Sequence, residues 1–555
     1  MQPRREGGSE SKSRRDVHGS TACGNVPGAG LEVKRGRRIR SPKPVNTRPS
    51  SRQPGVPAGA LAACRDTDEG AQSRLKAFLL PTLLGIAAAL SGWAALALAI
   101  AGLFFVLGIA MVQISSLIIS HRPQRSNRSD RTGSNRQQTV HPRVSIHVPC
   151  CNEPPDVVIG TLDALAMLDW RDYEVICLDN NTSDPEVWRP LQTHCERLGS
   201  RFRFYHFDNV KGAKAGALNL ALKRTDRTAE YIAVVDADYR VQPHFLHCAH
   251  AYLSQGALSH VQFPQAYRNA CNRASGIARD FSHYFDIFMP TANDTEATLL
   301  TGTMSVIRRS VLEEIGGWSS DSVTEDAELG ARLAVAGHSG FFVPEVVGHG
   351  LLPETLEAMQ LQRRRWVHGN ASTLFGLSIN DWKTLGRTRI IGVVAQLTAW
   401  FNGLLLPAVV LLAVVVAGGD DRMHVLAATI SGFAVLLQIG VRAAIIALAP
   451  HTARRRASLP GALAAHFGLA WEGATAWIES LLGMRMRFIR TDKSGRPGSM
   501  AAAVPALISS ALLIAAGVSF AGDGMAVAAF GAFAGALAFA SVLELAVQLH
   551  VLRTA

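Results

Sequence analysis

The side chains best suited to chemistry lie in four short stretches. These are Asp179 at the end of a strand-like run, Asp236-Ala237-Asp238, Thr324-Glu325-Asp326, and Gln362-Arg363-Arg364-Arg365-Trp366. Two are carboxylate clusters, and the last is an arginine patch closed by an indole. Together they offer oxygen ligands for a hard divalent cation, a base for a hydroxyl proton, and guanidinium forks for phosphate. That combination suits transfer of a sugar from a nucleotide diphosphate.

Asp236 and Asp238 follow the apolar run Tyr231–Val235, so a buried strand would deliver both acids to its exit. In extended chain, residues two apart face the same way, which suits one divalent cation that also grips a diphosphate. A strand-end turn with two solvated acids fits the same residues. Thr324 precedes the helical pattern Ala327–Leu333 and stands where it would cap that helix, leaving Glu325 and Asp326 in the first turn. Of the two, Asp326 is the better candidate for taking a proton from an acceptor hydroxyl. Acids also favour first turns for electrostatic reasons alone. In Gln362–Trp366 the guanidinium groups can hold a departing diphosphate while the indole stacks on a sugar. A basic helix lying at a membrane surface would read the same way. His244, His247 and His250 share a helical stretch with Cys248, a spacing more often found on a half-exposed helix face than at a zinc site. Gly199-Ser200 and similar turns lack the surroundings of a nucleophilic serine.

The elements that must position these groups run from about Pro142 to Phe375, where short apolar runs alternate with helical patterns. Val144–Pro149, Tyr173–Asp179, Arg203–Phe207, Tyr231–Asp236 and His260–Pro264 read as strands, and Val157–Leu168, Glu186–Leu198 and Ala213–Lys223 as the helices between them. This order predicts a largely parallel sheet covered on both faces, with ligands at the carboxyl ends of the strands. Asp179 and Asp236 each close a strand in that reading.

Of the 555 residues, 48% are apolar and 18% charged, and the apolar ones gather before and after this block. That unevenness predicts membrane spans. Ala77 to about Ser120 is long enough for two, turning at Ser91-Gly92-Trp93. Further apolar runs lie at about Ile390–Gly418, Val425–Ala449, Leu459–Met484, Ala501–Phe520 and Met525–Val551. Leu459–Met484 carries Glu472, Glu479, Trp471 and Trp477, which suits an interfacial or re-entrant helix. The expectation is two spans before the polar block and four after it. The basic loops His451–Arg456 and Arg485–Arg496 then share the inner face with the block. The domain plan is a disordered basic tail over 1–75, compatible in part with a mis-assigned start, two transmembrane helices over 76–120, an α/β domain over 142–375, and transmembrane and interfacial helices over 385–555. Much of the net charge of +12 sits in the tail and beside apolar segments, so nucleic acid is not the expected partner. The eight cysteines form no CxxC pair and no His/Cys ligand spacing, which predicts neither a zinc site nor a disulfide framework and fits a reducing compartment.

From Val144 to Trp366 the chain resembles family 2 glycosyltransferases of the membrane-embedded cellulose synthase-like type, with wording closest to bacterial β-glucan synthases. The resemblance implies a GT-A fold, a Rossmann-like and mostly parallel α/β sheet inserted between transmembrane α-helices. It implies that Asp179 contacts the nucleotide and that Asp236 and Asp238 form the DxD that binds Mg2+ or Mn2+, Asp238 being the more direct ligand. It makes Asp326 the catalytic base, and makes Gln362, Arg365 and Trp366 the QxxRW that holds the diphosphate and the acceptor end. Gly212–Asn219 resembles HxKAGxxN, which brings Lys214 to the nucleotide. Thr301-Gly302-Thr303 matches a small-residue segment near the acceptor. Phe488–Lys493, in a loop over 485–498, resembles the gating loop that closes over the donor and makes Thr491 a donor contact.

Some positions depart from the family pattern. Cys150-Cys151 stand where relatives often have a Tyr before Asn152-Glu153; Glu153 is retained. Asn180-Asn181 follow Asp179 in place of Asp-Gly, Gly212 replaces His, and Tyr239 follows the DxD. The resemblance implies an inverting, metal-dependent transferase that polymerises a β-linked polysaccharide, a β-glucan from UDP-glucose, and translocates it across the membrane. It places the protein in a bacterial inner membrane with a cytoplasmic catalytic domain, its partners being the UDP-sugar donor, the growing polysaccharide and the lipid bilayer. No accessory export protein is specified, and no cyclic-dinucleotide receptor domain is expected after the last span. A transferase loading one sugar onto a lipid carrier would share the donor site but needs neither QxxRW nor a conduit. An inactive transporter or scaffold would be expected to have lost a metal or base residue.

Overall fold

The computed structural model describes residues 91–121, 141–269, 275–418, 421–449, 459–486, 488 and 500–554. The tail over 1–75, the first expected span, the loop His451–Arg456 and most of the loop over 485–498, Thr491 included, lie outside the described residues.

Among the described residues of the polar block, ten strands follow one another: β1 (Arg143–Cys150), β2 (Tyr173–Asn180), β3 (Phe202–Phe207), β4 (Ala229–Val234), β5 (Arg240–Val241), β6 (His260–Gln262), β7 (Ala266–Tyr267), β8 (Ser305–Arg308), β9 (Gly340–Phe342) and β10 (Gly348–Gly350). Seven form one sheet in the order β3-β2-β1-β4-β8-β6-β9, and β5-β10-β7 form a small second one. In the large sheet β8 runs antiparallel to both neighbours, while every other pairing is parallel. β2 is buried at every position, as a strand covered on both faces must be. On one face Val144, Ile146 and Val148 pack with Val158 and Leu162 of the Pro155–Ala166 helix and Phe245 of the Phe245–Leu253 helix. On the other, Ile232 and Val234 meet Leu218 of the Ala213–Leu222 helix and Leu329 of the Glu325–Val335 helix. The chain order reverses at β1, which lies between β2 and β4, and a crevice opens at such a point at the carboxyl ends of the strands.

Among the described residues, four helices are long and apolar enough to cross a membrane: Gly92–Ser120, Arg422–Leu448, Met500–Gly522 and Ala526–His550. Ser91 begins the first of them as its N-cap, its hydroxyl accepting from the Ala94 amide. Trp93, Phe104, Met111, Phe530 and Leu537 stay exposed on these helices, forming apolar surface suited to lipid. The run Ile390–Gly418 is not one helix. Ile379–Thr398 and Leu405–Ala417 are separated by a break in which the Asn402 amide donates to Gly473 O and the Leu404 amide to Asn402 Oδ1. Leu459–Met484 likewise holds two helices, Leu459–Phe467 and Ala470–Leu481, of 9 and 12 residues. Neither reaches the roughly 20 residues that a bilayer needs.

Candidate active site

A cleft of about 520 Å³, counted to its open mouth, forms where the chain leaves β4. Lys214, Asp236, Gly302, Glu325, Asp326, Gln362, Arg365 and Trp366 line it, together with Tyr239, Gln265 and Tyr267.

β4 ends at Val234 and the chain then turns, the Tyr239 amide donating to Asp236 O at 3.0 Å. The turn takes the chain out of extended form at Ala237-Asp238. Asp236 faces the cleft, and its amide donates to Thr303 Oγ1 at 3.0 Å. Asp238 is buried, with Oδ2 accepting from the Leu351 amide at 2.8 Å.

Lys214 sits in the first turn of the Ala213–Leu222 helix. The entry residue Gly212 has φ of 80°, and a Cβ there would lie 2.5 Å from the Ser320 Cβ, so only glycine fits. The Lys214 ammonium donates to Asp236 Oδ1 at 2.5 Å and to Gly302 O at 2.6 Å, and lies 3.7 Å from Glu325 Oε1. Burial alone would lower its pKa, but Asp236, Glu325 and Asp326 together hold it above the ordinary lysine value. An ammonium thus stands among three carboxylates, in surroundings that would equally draw a hard cation. The oxygen-only set of Asp236 and Asp238 fits Mg2+ or Mn2+.

Asp326 belongs to the first turn of the Glu325–Val335 helix. Thr324 precedes it, but its hydroxyl caps no amide there. Instead Thr324 packs on Gly369, where a Cβ would come within 2.4 Å of Thr324 Oγ1. Burial, and then the neighbouring charge of Glu325, push the Asp326 carboxyl up to about 7 against the opposing pull of Lys214. A carboxylate poised near neutrality is what a general base requires. Gly302, at φ of 82°, brings bare backbone against this acid, since a Cβ there would lie 2.8 Å from Asp326 Oδ2.

Gln362, Arg365 and Trp366 stand at i, i+3 and i+4 on the Leu356–Gly376 helix and therefore share one face. Gln362 Oε1 and Arg365 Nε are buried and, among the described residues, have no hydrogen-bond partner. The Arg365 guanidinium lies 4.7 Å from the centre of the Phe488 ring. Trp366 meets Phe281 and Trp400 with ring centres 5.5 and 5.6 Å apart. Arg363 and Arg364 face away from the cleft, which corrects the reading of the whole arginine patch as phosphate-binding. Arg363 pairs with Asp280 at 2.9 Å, and Arg364 with Glu472 at 3.4 Å and Glu479 at 2.5 Å.

Residues 145–316 match the family model described as glycosyl transferase family 2, and residues 231–445 match that of glycosyl transferase family group 2. Similar proteins include a probable glucomannan 4-β-mannosyltransferase of Oryza sativa subsp. japonica, 28% identical over 48% of this chain and 54% of that protein. A UDP-forming cellulose synthase catalytic subunit of Xanthomonas axonopodis pv. citri is 28% identical over 42% of this chain and 32% of that protein. The chain is a family 2 glycosyltransferase of the cellulose synthase-like type. This family 2 glycosyltransferase spans about half the length, or less, of the curated relatives it matches. Among solved structures, a mannosyltransferase from Pyrobaculum calidifontis in complex with GDP-Man and Mn2+ aligns with a TM-score of 0.45 at 20% identity, over 64% of this chain and 97% of that one.

The cleft of this glycosyltransferase brings together Lys214, Asp236, Asp326, Gln362, Arg365 and Trp366, and leaves Glu153, Asp179 and Asp238 off its walls. Asp179 is buried near the end of β2, accepting from Thr182 Oγ1 at 2.7 Å with His206 Nδ1 at 2.8 Å, and burial raises its pKa. Glu153 follows the end of β1 and is half-buried. Sequence reasoning missed the link of Glu325 to Lys214 and the wall residue Gln265, whose Nε2 donates to Thr301 O at 2.6 Å. Glu325 could have been found from its place beside Asp326, whereas Gln265 carries no local signal.

Proposed function

We propose that this glycosyltransferase is a processive, inverting synthase that builds a β-glucan from UDP-glucose at the cytoplasmic face of a bacterial inner membrane and passes the product through its own helices. The observation that carries the reading is that Asp326, with its raised pKa, shares one cleft with Arg365 and Trp366. Asp326 takes the proton of the acceptor hydroxyl as that oxygen attacks the donor's anomeric carbon, and displacement from the opposite side leaves a β-linkage. Arg365 receives the departing diphosphate, for which its unpartnered Nε–H is available, with Gln362 beside it on the same helix face. Asp236 and Asp238 would hold Mg2+ or Mn2+, which when bound neutralises diphosphate charge. Trp366 stacks on the acceptor's terminal sugar. Trp366, Trp400 and Tyr284 then continue as one set of packed ring contacts towards the break after Thr398.

Names among the relatives include both mannosyltransferases and a UDP-forming synthase, so the donor is the point to test first. Purified protein in lipid should be given UDP-glucose, UDP-N-acetylglucosamine, GDP-glucose and GDP-mannose separately, and the product sized and digested with linkage-specific hydrolases. Long β-glucan from UDP-glucose alone supports the proposal. Polymer from a GDP-sugar would replace the donor, and a single sugar recovered on an extractable lipid would replace processive synthesis by loading of a lipid carrier.

A further inference from the structure

We propose a second metal site in this protein, built for Zn2+ from His244 Nε2, Cys248 Sγ and a Glu345 carboxylate oxygen. His244 caps the Phe245–Leu253 helix and Cys248 lies one turn on, so both project from one side of it. Glu345 arrives from the connection between β9 and β10. His244 Nε2 is 3.2 Å from Glu345 Oε1, Cys248 Sγ is 3.5 Å from Glu345 Oε2, and one ligand atom from each residue falls in a set spanning no more than 4.8 Å. Bonds of about 2.0–2.3 Å at tetrahedral angles hold zinc ligands about 3.3–3.8 Å apart, so small side-chain rotations close this set around an ion. The site is half open to solvent, which leaves room for water as the fourth ligand.

The chemistry of the set selects the ion. One imidazole, one thiolate and one carboxylate suit Zn2+, while Mg2+ and Mn2+ prefer the all-oxygen pair Asp236 and Asp238. The thiol now donates to Glu345, and zinc takes the place of that proton, which leaves to solvent. The backbone on both sides is already fixed. The Gln242 amide donates to Val347 O at 2.7 Å, the Glu345 amide to Val343 O at 2.8 Å, and Tyr252 of the same helix stacks on Phe341. His247 and His250 take no part, since they pack around Trp170 and His141. The ion would staple the helix to the connection leading into β10, after which the Leu351 amide holds Asp238.

Cobalt titration of the full chain, purified in detergent and stripped by chelator, tests this directly. The expected result is one Co2+ per chain with a thiolate-to-cobalt charge-transfer absorption that is lost in Cys248→Ser, weakened at least about tenfold in affinity by Glu345→Gln, and unchanged in His247→Ala. Zn2+ should raise the melting temperature of the wild type but not of Cys248→Ser. A wild-type protein without the absorption, or an absorption that survives Cys248→Ser, overturns the site. Metal held only by Asp236 and Asp238 gives no thiolate band, so occupancy there cannot imitate the expected result.

Discussion

Asp326 is held where burial and Glu325 resist its charge and Lys214 invites it. Its replacement by Asn should cut synthesis by about 10²–10⁴-fold, the usual worth of a general base, with UDP affinity within about twofold of wild type. Initial rates and UDP titration on one preparation check both, and near-normal synthesis would assign the base elsewhere. Because kcat/KM follows the free enzyme, it should fall as pH drops through about 7 in the wild type. The same shift has a stability consequence. The folded carboxyl keeps its proton to higher pH than the unfolded one, so stability falls as pH rises from the ordinary carboxylate range to about 7. Asp326→Asn should therefore melt higher than wild type at pH 8, and the difference should fade towards pH 4. Gly302→Ala places a Cβ at φ of 82° against Asp326 Oδ2 and should lose at least about tenfold in kcat with the fold retained by circular dichroism. Chelation should abolish synthesis and added Mn2+ or Mg2+ restore it, while full activity in stripped protein would remove the metal from the proposal. Asp326 could be picked out in the sequence because an acid pair before a helical pattern is a local signal. The positive φ of Gly302 and the reach of Lys214 across to Gly302 O depend on backbone geometry and on contacts far along the chain, and neither leaves a local mark.

The Leu356–Gly376 helix sends adjacent arginines to different tasks, and that contrast can be measured. Arg364→Ala removes the guanidinium that Glu472 and Glu479 share in a buried place and should cost about 3–5 kcal/mol of stability, read by thermal or denaturant unfolding in detergent. Arg365→Ala should leave unfolding nearly unchanged while synthesis falls, because its guanidinium meets Phe488 and no buried acid within ion-pair distance among the described residues. Equal destabilisation by both would contradict this division. Gln362, Arg365 and Trp366 were singled out by the QxxRW resemblance, and their helical spacing explains the face they share. The partners of Arg364 lie 108 and 115 residues further along the chain, in a stretch whose acids marked it only as unfit for lipid. The breaks that split Ile390–Gly418 and Leu459–Met484 escaped notice because hydropathy reports burial and says nothing of where a helix stops.

At the scale of the molecule, the parallel core was readable from alternating strand and helix patterns, since strands covered on both faces are continuously apolar. The short strands β5, β7, β9 and β10 have too few residues to show a period. Processive synthesis needs a hold on the polymer between additions, and Trp366 with Phe281 and Trp400 beside it is the expected holder. Trp366→Ala should shorten the product several-fold at limiting enzyme, more than it lowers the rate of UDP release, and unchanged product length would move the hold elsewhere. The pairing of Arg364 with Glu472 and Glu479 also sets an order in time. When the ribosome has made the chain as far as Gly376, Asp280 already exists to receive Arg363, but neither acid that will receive Arg364 has been synthesised. The helix carrying the cleft's arginine and tryptophan can thus seat by one side only, and it becomes fully docked after Ala470–Leu481 has emerged. A transferase segment cut off before that point lacks both acids that Arg364 pairs with.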